Sequence, residues 1–587
     1  AMRLGCEATA IDINPVAWFI LKCTLEYPQK LAGQTRPLPA FILKNQEFMA
    51  EFFESKGLSK KDIAKELETL GHEKTTDQHL PGMARTDVTI EADLAWHVRA
   101  WGQWVFNQAR RELAPYYPTY ADFEPLKEGM RSYEKQPMRL VPINDDGTPD
   151  MEKLNGAFSE DYLRDQTNPR WIAKPPAAYL WARTVKCKNC RVTVPLLKTR
   201  WLSKDDANRV ILRVTASDDP SGIAFRVEND IAKGRSSTIN GEGTMSRAGV
   251  RCPCCQCIMT LEDIRLEAKA GRMGQVQTCV VTSGPRGREF RLPTKVDEKA
   301  ITRAAQNVDV FYADVPYGIP EESTPAGGGS GAGRAFSLHG YGLARWRDIF
   351  TPRQLITMGR FTKVIGAVSC SARKTGYPDA WAEALQTYLA CALDRTVNYL
   401  STICIWEPQA GEVKQTFLRF ALPITWDFAE ANPFSGLDRY FAGAVSSVAR
   451  VLTTTMPTVA RVPAPTVLLR SAISPGSEQY DVIVTDPPYY DAIPYSDLMD
   501  FFYVWLRRSL YGLREDMSEV FASPLSPKWN HETNDGELID DSSRHNNDQT
   551  KSKTVYENGM FRAFQACCQM LRPSGRLVIV FANKQPD

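Results

Sequence analysis

Residues 482–495 read Val-Ile-Val-Thr-Asp-Pro-Pro-Tyr-Tyr-Asp-Ala-Ile-Pro-Tyr. The apolar run that ends at Thr485 predicts a strand over 480–485, and the aromatic stretch beyond predicts a helix over 497–510. Between them stands Asp486-Pro487-Pro488-Tyr489. A proline pair is kept out of helix interiors and central ladders, so the chain is held extended there. Strand ends of open α/β sheets are where ligands bind. An acid, a stiff carbonyl-bearing segment and a ring placed together can hold a planar base by its amino group and stack on its face. The fold class expected from this stretch is α/β.

With its strand before and aromatic helix after, the tetrapeptide resembles the Asp-Pro-Pro-Tyr motif of amino-group DNA methyltransferases, which methylate adenine N6 or cytosine N4. The resemblance implies a Rossmann-like class I methyltransferase core, with S-adenosyl-L-methionine as methyl donor. Asp486, Pro487, Pro488 and Tyr489 are then catalytic. Asp486 and the Pro487 carbonyl accept the two amino hydrogens, and Tyr489 stacks on a base flipped out of its duplex. Tyr490 and Tyr495 line the base pocket, while Asp491 and Asp497 read as loop and helix-cap residues.

Far upstream, residues 7–13 predict a short strand with Asp12 near its end, then Asn14-Pro15 and an apolar helix over 16–26. An acid ending a second strand binds ribose hydroxyls in nucleotide folds, so Asp12, Asn14 and Pro15 are assigned to the methyl donor. An ordinary strand-end Asp before an Asn-Pro turn is the alternative. The glycine-rich loop that should precede Asp12 is expected upstream of residue 1. Ser471 stands where many methyltransferases place an acid against the cofactor's adenine. The opening Ala1-Met2-Arg3-Leu4-Gly5 reads as a helix tail with a glycine stop, and residues 575–584 read as a buried strand. A fragment of a longer protein is expected.

At 587 residues the chain exceeds one ordinary core, so several domains or large insertions are expected. Hydrophobic content of 43% with 24% charged residues is that of a soluble globular protein. No apolar run approaches the roughly 20 residues of a membrane span, and no signal-peptide pattern is read. The net charge of +2 does not by itself mark a nucleic-acid binder. Six of the fourteen cysteines fall between Cys187 and Cys257. Without a secretory signal, that cluster reads as a metal site in a reducing, cytoplasmic setting rather than as disulfides. Cys187 and Cys190 form one pair with a two-residue gap. In the second, both 252/255 and 254/257 have that gap; Cys252 and Cys255 are preferred because Cys-Pro-x-Cys is the usual ribbon form. Four thiolates close a structural zinc site with no position open for catalysis. Between Arg183 and Arg213 stand nine Lys or Arg and two acids, with Trp201 among them, which points to contact with DNA backbone. A solvated cationic face is the alternative.

Elsewhere, 46–71, 91–113, 351–366, 378–405, 435–455 and 557–571 read as helices, and the aromatic residues Trp96, Trp101, Trp104 and Phe106 read as core. Residues 115–180 read as irregular, and the polar stretch 524–555 as a mobile loop. Residues 322–334, with the glycine-rich 327–331, read as a flexible linker or loop, since they lack the strand and helix that a phosphate-cradling loop needs. Trp426-Asp427-Phe428-Ala429-Glu430 and Asn432-Pro433 are unusual enough to be candidates for the cofactor or target pocket; a buried loop is the alternative.

Several stretches together resemble one family, the large adenine-specific DNA methylases that contain a zinc ribbon and are often encoded near bacterial defence genes. They are residues 5–15, Tyr179-Leu-Trp-Ala-Arg-Thr-Val-Lys-Cys187, 268–274, 350–354, 421–434 and 485–505. The expected organisation is a methyltransferase core interrupted by a long α+β insertion. Its parts are 1–30 (first part of the core), 31–180 (mainly helical insertion), 181–300 (zinc-ribbon, β-rich basic module), 301–434 (helical target-recognition or connecting region) and 435–587 (catalytic part). The resemblance implies adenine-N6 methylation of double-stranded DNA in a modification or defence system, with other defence proteins as partners. A non-catalytic DNA-binding subunit, a cytosine-N4 enzyme and an RNA methyltransferase are the alternatives.

Overall fold

The structure is a computed structural model and describes residues 1–72, 89–127, 132–217, 222–229, 231, 241–285, 287–327, 331–436, 440–489 and 493–580. The architecture is mixed α/β, built from several small sheets.

Strand β1 (Thr9–Asp12) leads into helix α1 (Pro15–Leu21). Asn14 caps α1, its Oδ1 accepting the Val16 amide at 2.9 Å, and Pro15 takes the first helical position, where no amide donor is needed. Helix α2 (Leu94–Leu113) begins behind the cap Asp93 and buries Trp101 in the core. Strands β2 (Pro176–Lys186) and β3 (Thr193–Leu196) pair antiparallel, and β4 (Trp201–Asp205) with β5 (Asn208–Ala216) form a hairpin. Strands β6 (Gly274–Gly284) and β7 (Gly287–Arg291) return to the first of these sheets. Helices α3 (Pro352–Gly366) and α4 (Asp379–Val397) precede β8 (Asp427–Ala431), which pairs with β2 on the edge opposite β6, alongside β3, and gives the order β7-β6-β2-β8. Helix α5 (Phe441–Val459) then leads to β9 (Thr466–Leu469), β10 (Tyr480–Thr485), α6 (Tyr495–Ser509), α7 (Gln549–Met570) and β11 (Leu571–Ile579).

Two parallel pairs position the site. β1 pairs with β9, placing Asp12 opposite Leu469, and β10 pairs with β11, placing Thr485 opposite Ile579. Among the described residues the pairs share no ladder. A groove of about 360 Å³ lies between β1 and β10, backed by Met560, Phe564 and Cys567 of α7. Val482 and Val484 are 56% and 66% exposed there. An apolar parallel strand belongs in a covered sheet interior, so exposure of this degree marks a sheet that is open at this place.

Several elements differ from the sequence reading. Residues 115–180 are irregular only in part: among the described residues Tyr120–Glu124 pairs with Arg139–Leu140 and with Arg170–Lys174 in a three-stranded sheet. The closing strand is largely exposed rather than buried. The stretch 524–555 is packed, because its charges are paired. Arg544 meets Asp497 at 2.6 Å and Glu537 at 2.8 Å, and Lys528 meets Asp500 at 2.7 Å. Asp497 is thus an ion-pair partner in the first turn of α6; Pro494 is the cap residue. Of the glycine-rich linker, residues 328–330 lie outside the described residues. No helix among the described residues is long and apolar enough to cross a membrane.

One apolar core runs from Val16 and Phe19 of α1 through α2, β2, α3 and α4 to Trp505 of α6. The parts read as methyltransferase core and as insertion therefore share one interior. A buried ion pair ties its layers. Arg353 of α3 donates to Glu430 of β8 through Nε at 2.7 Å and Nη2 at 3.0 Å, and the Trp181 indole donates to the same carboxylate at 2.8 Å. The guanidinium also sits 3.6 Å from the Tyr179 ring centroid. Arg353→Met should leave Glu430 buried and unpaired, at a cost of about 3–5 kcal/mol. Adding Glu430→Leu should restore much of that loss. Urea unfolding midpoints of the single and double variants check both expectations.

Candidate functional site

The C-terminal ends of β1, β9 and β10 converge on one cavity of about 440 Å³. Asp12 and Asn14 come from the β1–α1 turn, Ser471 from beyond β9, and Asp486, Pro487, Pro488 and Tyr489 from beyond β10. Tyr495 lines it from the start of α6 and is 44% exposed. Asp12 and Tyr495, 483 positions apart in sequence, thus share one chamber, whose volume lies in the range of small-molecule sites. Pro15 is buried in α1 and is not among the lining residues. Tyr490 and Asp491 lie outside the described residues.

Local geometry fixes most of these groups. Asp12 Oδ1 accepts the Asn14 amide at 2.7 Å, which holds the turn. Burial pushes the Asp12 carboxyl above its ordinary range, opposed by the Asn14 and Ile13 amides and reinforced by the charge of Glu537 across the cavity. Pro487 is buried and Asp486 is exposed, so the acid stands at the cavity rim. The Tyr489 hydroxyl donates to Asp486 Oδ1. The Tyr556 hydroxyl of α7 donates to the Pro488 carbonyl at 2.5 Å, anchoring the diproline segment. The Asp486 carboxylate is an acceptor for an N–H or O–H of a bound molecule once Tyr489 turns its hydroxyl away.

Three contributors were missed in the sequence. Asp535 accepts the Ser471 hydroxyl at 2.6 Å, so an acid does stand beside Ser471, supplied from 64 residues away. Glu537 lines the cavity and accepts the Ser496 amide at 2.7 Å and hydroxyl at 2.5 Å. Tyr556 is the third. Asp535 and Glu537 sit in the polar stretch read as a loop, where composition gave no sign of docking.

The four cysteines chosen from sequence meet. Sγ atoms of Cys187, Cys190, Cys252 and Cys255 all lie within 4.8 Å of one another. Cys187 and Cys255 are 3.6 Å apart, as are Cys190 and Cys252. A disulfide requires about 2.05 Å, whereas four sulfurs at about 2.3 Å from a tetrahedral ion sit roughly 3.8 Å apart. The two pairs are built alike. Arg191 and Gln256, each just past the second cysteine, have φ of 62° and 61°. Their amides return to the carbonyls of Cys187 and Cys252, each at 3.0 Å. Cys254 faces the Gly222 carbonyl at 3.2 Å and Cys257 that of Ile258, so neither joins the tetrad. The tetrad can hold a metal ion.

Trp201 and Asp427 meet in a separate cavity that contains none of the Asp486 group. Asn432 lines neither. It is buried, donates to the Pro176 carbonyl at 2.8 Å and accepts the Phe434 amide at 3.0 Å, so it fastens β8 to β2.

No protein-family model, curated protein or solved structure matches the chain.

Proposed function

We propose that this chain carries the methyl-transfer site of an S-adenosylmethionine-dependent DNA methyltransferase acting on adenine N6, on a Rossmann-like class I core, with Zn²⁺ in the cysteine tetrad. The observation that carries the reading is the convergence of Asp12, Ser471 and Asp486-Pro487-Pro488-Tyr489 on one cavity. A strand-end carboxylate, a largely apolar chamber and a polar rim fit a nucleoside-bearing methyl donor. When bound, that donor supplies an electrophilic methyl group. Asp12 would hold its ribose hydroxyls, and Ser471 with Asp535 would border its adenine. A parallel strand seated between β1 and β10 would join the two pairs into one sheet.

The target amine is a poor nucleophile because its lone pair is delocalised into the ring. Asp486 and the Pro487 carbonyl accept hydrogen bonds from its two N–H groups, draw the nitrogen toward tetrahedral geometry and aim the lone pair, and the proton that the methylated nitrogen sheds would pass to the Asp486 carboxylate and on to solvent. Rate arises from orientation and placed charge. Tyr489 stacks on the base, which requires its hydroxyl to leave Asp486. Tyr489→Phe should therefore stay within about threefold of wild type, whereas Tyr489→Ala should lose about 1–3 kcal/mol of base binding. Steady-state kinetics on a duplex substrate check this.

The decisive experiment is sequencing of modified bases in DNA from cells expressing the gene, beside an Asp486→Ala control. N6-methyladenine at a defined site in the first sample only is expected. Identical modification in both would end the proposal.

A further inference from the structure

The cavity that joins Trp201 and Asp427 has a volume of about 150 Å³ and an unusual wall. Trp181, Trp201, Trp406 and Phe428 line it, with Asp427 and Lys198 as its charged members. Trp181 and Phe428 lie nearly parallel, at an interplanar angle of 4°. The register of β4 against β5 shifts at this point, with Val210 opposite Ser203 but Ile211 opposite Trp201, so Leu202 is the extra residue of a bulge. Bulges re-aim side chains and leave a backbone group unpaired. Here the Trp406 indole donates to the Leu202 carbonyl at 2.6 Å, so one bulge places two tryptophans. A Cβ at Gly241 would lie 2.0 Å from Trp201 Nε1, so the chain packs directly on that ring. Asp427 is fixed by the Lys198 amide, which donates to Oδ2 at 3.1 Å.

We propose that this cavity takes a single unpaired cytosine from a nucleic-acid strand, with Asp427 accepting its N4 amino group and Trp201 and Trp406 against its ring. A cavity of this volume holds one six-membered aromatic ring, which favours a pyrimidine over a purine. A carboxylate is an acceptor for the cytosine amine and repels the O4 of thymine. The surroundings favour a nucleic acid over a cationic peptide. Arg200, between two lining residues, and Arg251 line a nearby polar groove of about 740 Å³ in which they outnumber its one acid, Glu242. Between Arg183 and Arg213 stand nine Lys or Arg against two acids, although Arg183 is buried and Lys188, Arg209 and Arg213 pair with Asp263, Asp206 and Glu228. Methyl transfer plays no part in this inference, which concerns a second pocket.

Tryptophan fluorescence of the full chain, without methyl donor, tests it. The probes are a short single-stranded oligothymidylate carrying one central cytosine and the all-thymine strand. The cytosine strand should bind roughly tenfold tighter. Asp427→Asn should erase that preference, and Trp201→Ala should weaken binding of the cytosine strand. Burial pushes the Asp427 carboxyl up to about 6. In the wild type, the preference should therefore fade as pH falls through that value and the carboxylate gains a proton, a readout that needs no variant. Equal binding of the two strands by wild type overturns the proposal, as does a preference that survives Asp427→Asn. Tighter binding of a trimethyl-lysine peptide at the same tryptophans also overturns it. Because no methyl donor is present, each result leaves the Asp486 reading untouched.

Discussion

Cys252→Ser is expected to release one zinc ion per chain and to unfold the segment around residues 187–268. The apolar cluster that encloses the tetrad is small: Val185, Val194, Leu196, Val250, Met259, Ile264 and a few neighbours. The strands near its second half are Met245–Ser246, Gly249–Arg251 and Ile258–Met259, too short to stand alone. Structural zinc contributes about 10–16 kcal/mol of apparent binding free energy in small domains, and whole domains are stable by only about 5–15 kcal/mol. Loss of one ligand should therefore cost more than this cluster can replace. Cys254→Ser is the matched control, because its sulfur faces the Gly222 carbonyl instead of the tetrad. Metal content by elemental analysis and limited proteolysis read both variants. Zinc retained in Cys252→Ser, or lost equally from Cys254→Ser, would contradict the tetrad.

What the sequence disclosed divides along a physical line. Features set by local chemistry were legible. The strand at 480–485, the apolar helix after Asn14-Pro15 and the paired cysteines each follow from a few neighbouring residues. The choice of the pair 252/255 over 254/257 rested on Cys-Pro-x-Cys, and the tetrad is built from that pair. Features set by long-range pairing were not legible. Residues 524–555 looked unstructured by composition, yet Arg544, Glu537, Asp497, Lys528 and Asp500 neutralise one another, and those partners cannot be matched from a linear string. The three-stranded sheet within 120–174 was hidden for the same reason, since Tyr120–Glu124 and Arg170–Lys174 meet across 45 intervening residues. The convergence of Asp12 with Asp486 could be expected only through resemblance. Trp201 and Asp427 were singled out separately by composition, and their meeting follows from the β2–β8 pairing and the β4 bulge.

Asp486→Ala is expected to lower the methyl-transfer rate by about 10²–10³-fold, the usual cost of removing one placed electrostatic partner of a transition state. The loss should fall on kcat rather than on cofactor affinity. The reason is spatial. Asp486 stands at the cavity rim beyond β10, whereas the proposed donor-holding groups Asp12 and Ser471 lie beyond β1 and β9. An acceptor that engages the amine as it turns tetrahedral acts in the transition state more than in the ground state, and such contacts appear in kcat. Asp12→Ala should behave oppositely. Removing its contact with a ribose should weaken donor binding roughly tenfold, as for one hydrogen bond to a charged group, with a smaller effect on the saturated rate. Calorimetric titration with the donor and single-turnover methylation of a duplex separate the two. If both variants lose donor binding equally, the cavity has no division of labour. If Asp486→Ala retains the wild-type rate, the Asp-Pro-Pro-Tyr segment is not where the amine is held.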